Sequence, residues 1–432
     1  MTDTRAPEAI RWPAPTAEAP VRASATVPGS KSMTARALVL SGASVGPSTL
    51  AEPLRARDTA LMAAGLRAMG VKVGVGDDSL WTVHPRPLRG PSFIDCGLAG
   101  TVMRFLPPLA ATAEGAVTFD GDPRARQRPM GPLLRGLSAL GVSVDDGGRE
   151  GLPFTLGGVG RVAGGEVVVD ASKSSQLVSG LLLSAPDYER GIVLRHVGPP
   201  MPSAPHVRMT VDMLRAAGAA VDDSRPNVWE VEPGRMSGRA WDVEPDLSNA
   251  APFLAAAMVT GGEVTVPGWP RHTSQPGHVL RELLADMGGR VVLSGDGLTV
   301  IGNGKVRGID ADLSEVGELT PVIAALCALA DSPSTLRGIG HLRGHETDRL
   351  AALTAELNGL GGDVGQTEDG LRIRPRQLGG GVFDTYDDHR MAQAAAVIGL
   401  AVPGVELSDV ACTSKTLPQF PRMWAELLGD RP

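Results

Sequence analysis

The sequence predicts an α/β protein of two similar domains, each assembled from three β-α-β-α-β-β units. Three observations lead there. First, one ending recurs five times: an apolar residue, a glycine, two arbitrary residues and a valine, at Met69-Gly70-Val71-Lys72-Val73, Leu140-Gly141-Val142-Ser143-Val144, Ala217-Gly218-Ala219-Ala220-Val221, Met287-Gly288-Gly289-Arg290-Val291 and Leu360-Gly361-Gly362-Asp363-Val364. Each reads as a helix stopped by a glycine cap and followed at once by a strand. Second, the glycines lie 71, 77, 70 and 73 residues apart, too long a period for a solenoid and suited to a repeated supersecondary module. Third, 432 residues exceed one ordinary core, and the residues outside the five copies leave room for six modules in all.

Within each module a short strand leads through a polar loop to an apolar helix rich in small residues. These helices are expected at Met33–Ala43, Val102–Ala113, Leu177–Ala185, Ala250–Thr260, Leu319–Ala330 and Met391–Leu400. β-Branched strands follow, such as Val117-Thr118-Phe119, Ile192-Val193-Leu194, Glu263-Val264-Thr265-Val266, Thr335-Leu336 and Val405-Glu406-Leu407. A second polar loop, a longer amphipathic helix with the glycine cap, and closing strands complete the unit. Ala- and Gly-rich first helices imply close burial, and amphipathic second helices a more exposed layer. Residues 30–244 are expected to form one domain, with units one to three. Residues 16–29 with 245–432 form the other, and the halves join near Trp241–Pro245 and Thr26–Gly29.

Composition narrows the function. With 42% hydrophobic and 21% charged residues the chain reads as a soluble globular protein. A net charge of −7 and 3% aromatic residues argue against nucleic acid as partner. No apolar run reaches membrane-spanning length. The Ala- and Pro-rich head lacks the apolar core of a signal peptide, so residues 1–15 are expected as a flexible tail. Three scattered cysteines, Cys96, Cys327 and Cys412, make neither a disulfide framework nor a metal site, and a reducing cytoplasm is the expected compartment.

The chemistry gathers in equivalent slots. Where the first helix of each module begins stand Gly29-Ser30-Lys31-Ser32, Ala99-Gly100-Thr101 with Arg104, Ser174-Ser175-Gln176, Asp246-Leu247-Ser248-Asn249, Glu318, and Asp387-Asp388-His389-Arg390. The second loops carry Arg55 and Arg57; Arg124, Arg126 and Arg128; Ser203 and His206; Arg271 and His272; His341, Arg343, His345, Glu346 and Arg349; and Lys415. Helix N-termini offer free N–H groups and partial positive charge. If every module points them one way, a cleft between the domains collects cations and helix ends for small, highly negative ligands.

Taken singly, each feature has a plainer meaning. A serine before a helix is ordinarily an N-cap, and Asp387-Asp388 complements a helix dipole. Arg124 to Arg128 reads as a solvated loop. Gly29-Ser30-Lys31-Ser32 lacks the earlier glycine of a P-loop, and no H-E-x-x-H pattern occurs. Recurrence in equivalent slots favours a site.

Seven motifs in order carry a resemblance: Pro28-Gly29-Ser30-Lys31-Ser32 with Arg36, Ala99-Gly100-Thr101 with Arg104, Arg128-Pro129, Ser174-Ser175-Gln176, Glu346-Thr347-Asp348-Arg349, Asp388-His389-Arg390-Met391 and Lys415-Thr416. From about Thr26 to the C-terminus the chain resembles the 5-enolpyruvylshikimate-3-phosphate synthases of the shikimate pathway. The resemblance implies an inside-out α/β barrel in each domain, substrates in the cleft, and transfer of the enolpyruvyl group of phosphoenolpyruvate to the 5-hydroxyl of shikimate 3-phosphate, releasing phosphate. By family position, Lys31, Gly100, Arg128, Gln176, Arg349, Arg390 and Lys415 bind phosphoenolpyruvate. Lys31, Ser32, Arg36, Ser174, Ser175, Gln176, Ser203, Glu318 and His345 bind shikimate 3-phosphate. Glu318 is the expected base toward the 5-hydroxyl, Glu346 the acid–base group at the enol carbon, and Lys31 stands with them as catalytic. No metal or cofactor and no nucleic-acid or membrane partner is expected, a monomer is the expected state, and glyphosate is the expected competitor of phosphoenolpyruvate.

The chain departs from the commoner family pattern at several places. Leu98 and Ala35 stand where asparagine is frequent, and His206 where tyrosine is. Glu318 replaces aspartate, His345 the lysine before Glu-Thr-Asp-Arg, and His341 an asparagine. A histidine carries full charge only below its pKa, so the pH dependence of substrate affinity is open to change. Two alternatives stand beside this reading. In the related UDP-N-acetylglucosamine enolpyruvyl transferases a reactive cysteine precedes an Arg-Pro pair by five residues; that position here is Pro123. A non-catalytic anion-binding homologue is the other, against which Lys31, Glu318, Glu346 and Arg390 speak together.

Overall fold

The five repeated glycines all adopt the left-handed backbone that only glycine takes without strain: φ is +100° at Gly70, +92° at Gly141, +94° at Gly218, +100° at Gly288 and +94° at Gly361. These values come from a computed structural model, which describes residues 11–76 and 79–429. Each cap is a complete Schellman motif. The N–H after the glycine reaches back to a leucine carbonyl, Val71 to Leu66, Val142 to Leu137, Ala219 to Leu214, Gly289 to Leu284 and Gly362 to Leu357, at 2.9–3.1 Å. All five leucine side chains are fully buried, so one residue satisfies a helix end and anchors it to the core. Gly429, at φ +89°, follows the helix Phe420–Leu427, and its N–H bonds the Glu426 carbonyl at 3.1 Å. This end lacks the following valine and escapes the sequence pattern.

Among the described residues, five sheets have four strands and one has three. In a typical one, Ser92–Asp95 runs parallel to Glu114–Asp120, joined by the crossover helix Gly100–Ala110. Phe154–Val159 pairs antiparallel on the far side, and Ser143–Asp145 forms the other edge. Three sheets depart from the contiguous β-α-β-α-β-β order. Ala240–Asp242 returns to pair with Ser48–Ala51, Arg22–Ser24 pairs with Glu263–Pro267, and Trp12–Pro13 pairs with Val405–Leu407. Three modules closed into a ring need their last-made segment beside their first, so these strands come from distant sequence.

The described residues divide into two compact units. One comprises the chain up to Val27, Asp246–Thr273 and everything from Gly277 onward; the other comprises Pro28–Pro245 with the short excursion Ser274–Pro276. The excursion has no counterpart in the sequence reading. The expected tail requires correction. Residues 1–10 lie outside the described residues, but 11–15 are structured: Trp12 pairs with Leu407, the Ala14 N–H bonds the Val405 carbonyl at 2.9 Å, and Ala14 is buried against Gly399. A side chain on Gly399 would meet Ala14 at 2.4 Å, so that glycine is what lets the arm dock.

Inside each unit the three small-residue helices pack on one another: Lys31–Ala43, Gly100–Ala110 and Gln176–Ser184 in one, Ala251–Thr260, Thr320–Ala328 and His389–Gly399 in the other. Every residue of Gly100–Ala110, Thr320–Ala328 and His389–Gly399 is buried. Gly180 shows why small residues are needed, since a Cβ there would stand 2.1 Å from the Arg104 carbonyl oxygen. The helices thus form the centre and the sheets the outside. All six begin earlier than, or within a residue of, their expected starts, so Lys31, Ser32, Gly100, Gln176 and Arg390 lie on first helical turns rather than in loops. There they share the end of the helix where N–H groups are free and the dipole is positive.

Candidate active site

In the Pro28–Pro245 unit, Ser30 caps the helix that carries Lys31, accepting from the Met33 N–H at 3.4 Å. Lys31 Nζ stands 3.7 Å from Asp58 Oδ2, and Asp58 is 2% exposed. Gly100 opens the second helix beneath two guanidinium groups. A Cβ at Gly100 would lie 3.0 Å from both terminal nitrogens of Arg128 and 3.1 Å from Arg104 Nη1. Arg128 is buried, donates to the Leu98 carbonyl at 3.3 Å, and has its Nε buried without a hydrogen-bond partner. Arg104 Nη1 donates to Gln176 Oε1 at 2.8 Å, joining the second helix start to the third. Ser174 Oγ accepts from the Gln176 N–H at 3.3 Å and Ser175 is buried beside it. Ser203 is a non-glycine at φ +53°, a strained geometry of the kind that clusters at functional sites.

Arg36 is fixed more firmly than the sequence implies. It is buried, with its guanidinium 5.1 Å from the Phe105 ring centroid and bonds to Thr210 Oγ1, Ser179 Oγ and the carbonyls of Ser32 and His206 at 2.8–3.3 Å. The Arg124–Arg128 run also separates. Arg126 is exposed and pairs with Asp120 at 2.8 Å, whereas Arg128 turns inward. Arg271 and His272 are exposed.

In the other unit a single charged network gathers the expected residues. Glu346 Oε2 accepts from Arg349 Nη2 at 3.1 Å, and its Oε1 accepts from Lys415 Nζ. Arg349 also grips Asp388 through Nε and Nη2, and its Nη1 donates to His345 Nδ1 at 3.4 Å. Asp388 caps the helix His389–Gly399, and Arg390 in the first turn of that helix donates to the Ser248 carbonyl at 2.9 Å. Tyr386 and Asp387, just before the cap, both have positive φ, at +55° and +54°. Burial works against the Arg349 charge, but Asp388 and Glu346 more than offset it, and its pKa is raised. Arg390 goes the other way, lowered chiefly by burial. Glu318, before the second central helix, acts electrostatically on both arginines and on His341. Asp388 exceeds its expected role: it grips the Arg349 guanidinium as well as capping a helix. A carboxylate before a helix signals only the cap, because the arginine it grips lies 39 residues away.

This arrangement suits paired phosphate and carboxylate groups, with one carboxylate, Glu346, held between the cations Arg349 and Lys415. Among the described residues no group of three His, Cys, Asp or Glu side chains is placed to hold a metal ion. No described helix is long and apolar enough to cross a membrane.

Residues 15–424 match the model of the EPSP synthases, the 3-phosphoshikimate 1-carboxyvinyltransferases. The chain belongs to this family. It is 55% identical over 430 residues, 97% of both chains, to a 3-phosphoshikimate 1-carboxyvinyltransferase of Kocuria rhizophila. Its fold superposes on EPSP synthase from Acinetobacter baumannii with a TM-score of 0.78 at 23% identity, over 96% of this chain and 97% of that one. The enolpyruvyl transferase NikO from Streptomyces tendae gives 0.72 at 18% identity, over 96% of each. Family membership favours the shikimate reading over the UDP-N-acetylglucosamine alternative.

Proposed function

We propose that this EPSP synthase family member transfers the enolpyruvyl group of phosphoenolpyruvate to the 5-hydroxyl of shikimate 3-phosphate and releases phosphate. The observation that carries the mechanism is Glu346 clamped between Lys415 and Arg349, with Asp388 and Arg390 in the same network. The two substrates together bring about six negative charges, which guanidinium and ammonium groups match by charge-assisted, often bidentate, hydrogen bonds. Lys31, Gly100, Arg128, Gln176, Arg349, Arg390 and Lys415 hold phosphoenolpyruvate. Lys31, Ser32, Arg36, Ser174, Ser175, Gln176, Ser203, Glu318 and His345 hold shikimate 3-phosphate. Arg36 is held for this by the Ser32 and His206 carbonyls.

The chemistry follows from two carboxylates. Glu318 takes the proton of the 5-hydroxyl as its oxygen bonds to C2 of the enol. The C2–C3 electron pair takes a proton at C3 from Glu346, itself supplied by the adjacent Lys415. In the second step Glu346 removes a C3 proton and returns one to Lys415, the double bond re-forms, and the C2–O bond to phosphate breaks. The proton on Glu318 leaves with the phosphate. Each proton passes through a positioned carboxylate, with Lys415 as the partner of Glu346. The test is phosphate release from phosphoenolpyruvate with each acceptor in turn. Release with shikimate 3-phosphate and none with UDP-N-acetylglucosamine is expected; the reverse pattern overturns the reading, and release with neither favours a non-catalytic homologue.

A further inference from the structure

A buried histidine with no part in the scheme above joins two of its loops. His196 ends the strand Ile192–His196 and is 6% exposed, on the same inward face as Ile192 and Leu194. The neighbouring parallel strand Gly165–Val169 sets Val169 opposite it, so both chains leave the sheet beside this ring. One chain runs on to Ser174, Ser175 and the helix Gln176–Ser184, the other to Ser203 and the helix Pro205–Ala216. The Ala171 N–H donates to His196 Nδ1 at 3.2 Å, and His196 Nε2 stands 3.0 Å from the Pro199 carbonyl. Ala171 extends the tie, because its own carbonyl accepts from the Ser174 N–H at 3.0 Å.

These contacts fix the tautomer. Nδ1 accepts from a main-chain N–H, so the ring proton sits on Nε2 and is donated to the Pro199 carbonyl, which can only accept. The other tautomer would aim Nδ1–H at the Val169 carbonyl, 3.3 Å away, but that oxygen already takes the Val197 N–H at 3.1 Å. It would also lose the bonds to Ala171 and Pro199. The Pro199 loop has need of an outside tie. Pro199, Pro200 and Pro202 have no N–H to give, and Ser203 holds its left-handed φ of +53°.

We propose that His196 is a positioning residue for shikimate 3-phosphate: one ring holds the loop of Ser174 and Ser175 against the loop of Ser203, so that the three serines meet the ligand as a set. The inference rests on those serines belonging to the shikimate 3-phosphate site. A buried histidine at a strand end is ordinarily a satisfied core residue. Here the partners of both ring nitrogens, Ala171 and Pro199, lie in the two loops that carry the serines. Loops ordered before the ligand arrives bind it without a further entropy cost. Glu318 and Glu346, the proposed proton carriers, belong to the other unit, so loosening these loops should weaken binding more than it slows chemistry.

The test is steady-state kinetics of wild type, His196→Asn, His196→Gln and His196→Leu, with calorimetric titration of shikimate 3-phosphate and histidine-selective ¹⁵N NMR of wild type. Asparagine reaches the Nδ1 position and glutamine the Nε2 position, so each keeps one tie; leucine fills the space and keeps none. The KM and dissociation constant for shikimate 3-phosphate should rise about fivefold in His196→Asn and His196→Gln, the worth of one neutral hydrogen bond, and about twentyfold in His196→Leu. Turnover number and KM for phosphoenolpyruvate should stay within about twofold. The asparagine and glutamine variants decide the matter even where the leucine variant does not fold. NMR should show His196 protonated at Nε2. Unchanged affinity for shikimate 3-phosphate, an equal rise in both KM values, or protonation at Nδ1 overturns the proposal. Ser203→Ala separates it from the reading beneath. Unchanged affinity in that variant removes the serine from the site and overturns both, whereas a weakened Ser203→Ala beside unaltered His196 variants overturns this proposal alone.

Discussion

Arg349 and Asp388 meet through two parallel hydrogen bonds, Nε to Oδ2 at 2.7 Å and Nη2 to Oδ1 at 3.1 Å, with 2% and 0% of their side chains exposed. The same Asp388 accepts from the Arg390 N–H at 2.9 Å. One carboxylate therefore fixes the Arg349 guanidinium and caps the helix whose first turn carries Arg390.

Replacing Asp388 by asparagine keeps the shape and a cap but leaves the Arg349 charge buried with Glu346 as its remaining acidic partner. Breaking a buried pair costs about 3 kcal/mol or more. Turnover efficiency should fall roughly a hundredfold, mostly through KM for phosphoenolpyruvate, with a lower midpoint of chemical denaturation. Steady-state kinetics check it, and a KM within threefold of wild type removes Asp388 from the positioning role.

The repeated caps make a separable stability test. A Cβ on Gly218, at φ +94°, meets nothing within 4 Å, so Gly218→Ala adds conformational strain without a clash. It should cost about 1 kcal/mol of stability, since a left-handed L-residue is disfavoured by roughly that amount. Kinetic constants should not move. Denaturant titration that finds no loss would show that the cap at Ala217 contributes nothing to the end of its helix.

The repeat was legible because a Schellman cap demands glycine at one position and an apolar residue before it, whatever else changes. What the repeat could not show is where a ring of modules closes. The pairing of Trp12 with Leu407 and of Trp241 with Leu50 joins residues hundreds apart, and no local signal marks either strand. In the site, Lys31, Gly100, Arg349, Arg390 and Lys415 could be named from motifs. The Arg104–Gln176 bond, Asp58 beneath Lys31 and the buried setting of Arg36 could not, because each depends on which helix faces which.

Glu346→Gln keeps the bulk beside Lys415 and Arg349 but cannot shuttle a proton. Turnover should fall by about 10²–10⁴, the usual worth of positioned acid–base catalysis. Substrate binding, followed by calorimetry, should change far less. Turnover within about tenfold of wild type, ~1.4 kcal/mol of barrier, rules out the role.

Thiol chemistry separates this protein from a cysteine-dependent relative. Cys96 and Cys327 are wholly buried, and burial pushes the Cys327 thiol up to about 12. Cys412 is also pushed up to about 12, by burial and then by Asp409. Since the thiolate is the nucleophile, none reacts readily at neutral pH. Incubation with an alkylating agent should leave turnover intact over hours. Rapid inactivation that phosphoenolpyruvate prevents would place a reactive cysteine in the site.

Gly100 carries the sharpest prediction about ligands. Its α-carbon faces the terminal nitrogens of Arg128 and Arg104, and an added methyl would stand 3.0–3.1 Å from three of them. Contacts that short require the guanidinium groups to move by a few tenths of an ångström, and Arg104 is already tied to Gln176. Gly100→Ala should therefore weaken every anion bound through this pair. Glyphosate is longer than phosphoenolpyruvate and should lose more, so the variant should show a modest rise in KM and a larger rise in the inhibition constant. Wild type should be inhibited competitively against phosphoenolpyruvate, with shikimate 3-phosphate already bound. Inhibition constants for both proteins decide it. Equal effects on the two ligands would mean that the methyl acts only by displacing the arginines, and no effect on either would mean that Gly100 does not border the phosphoenolpyruvate site.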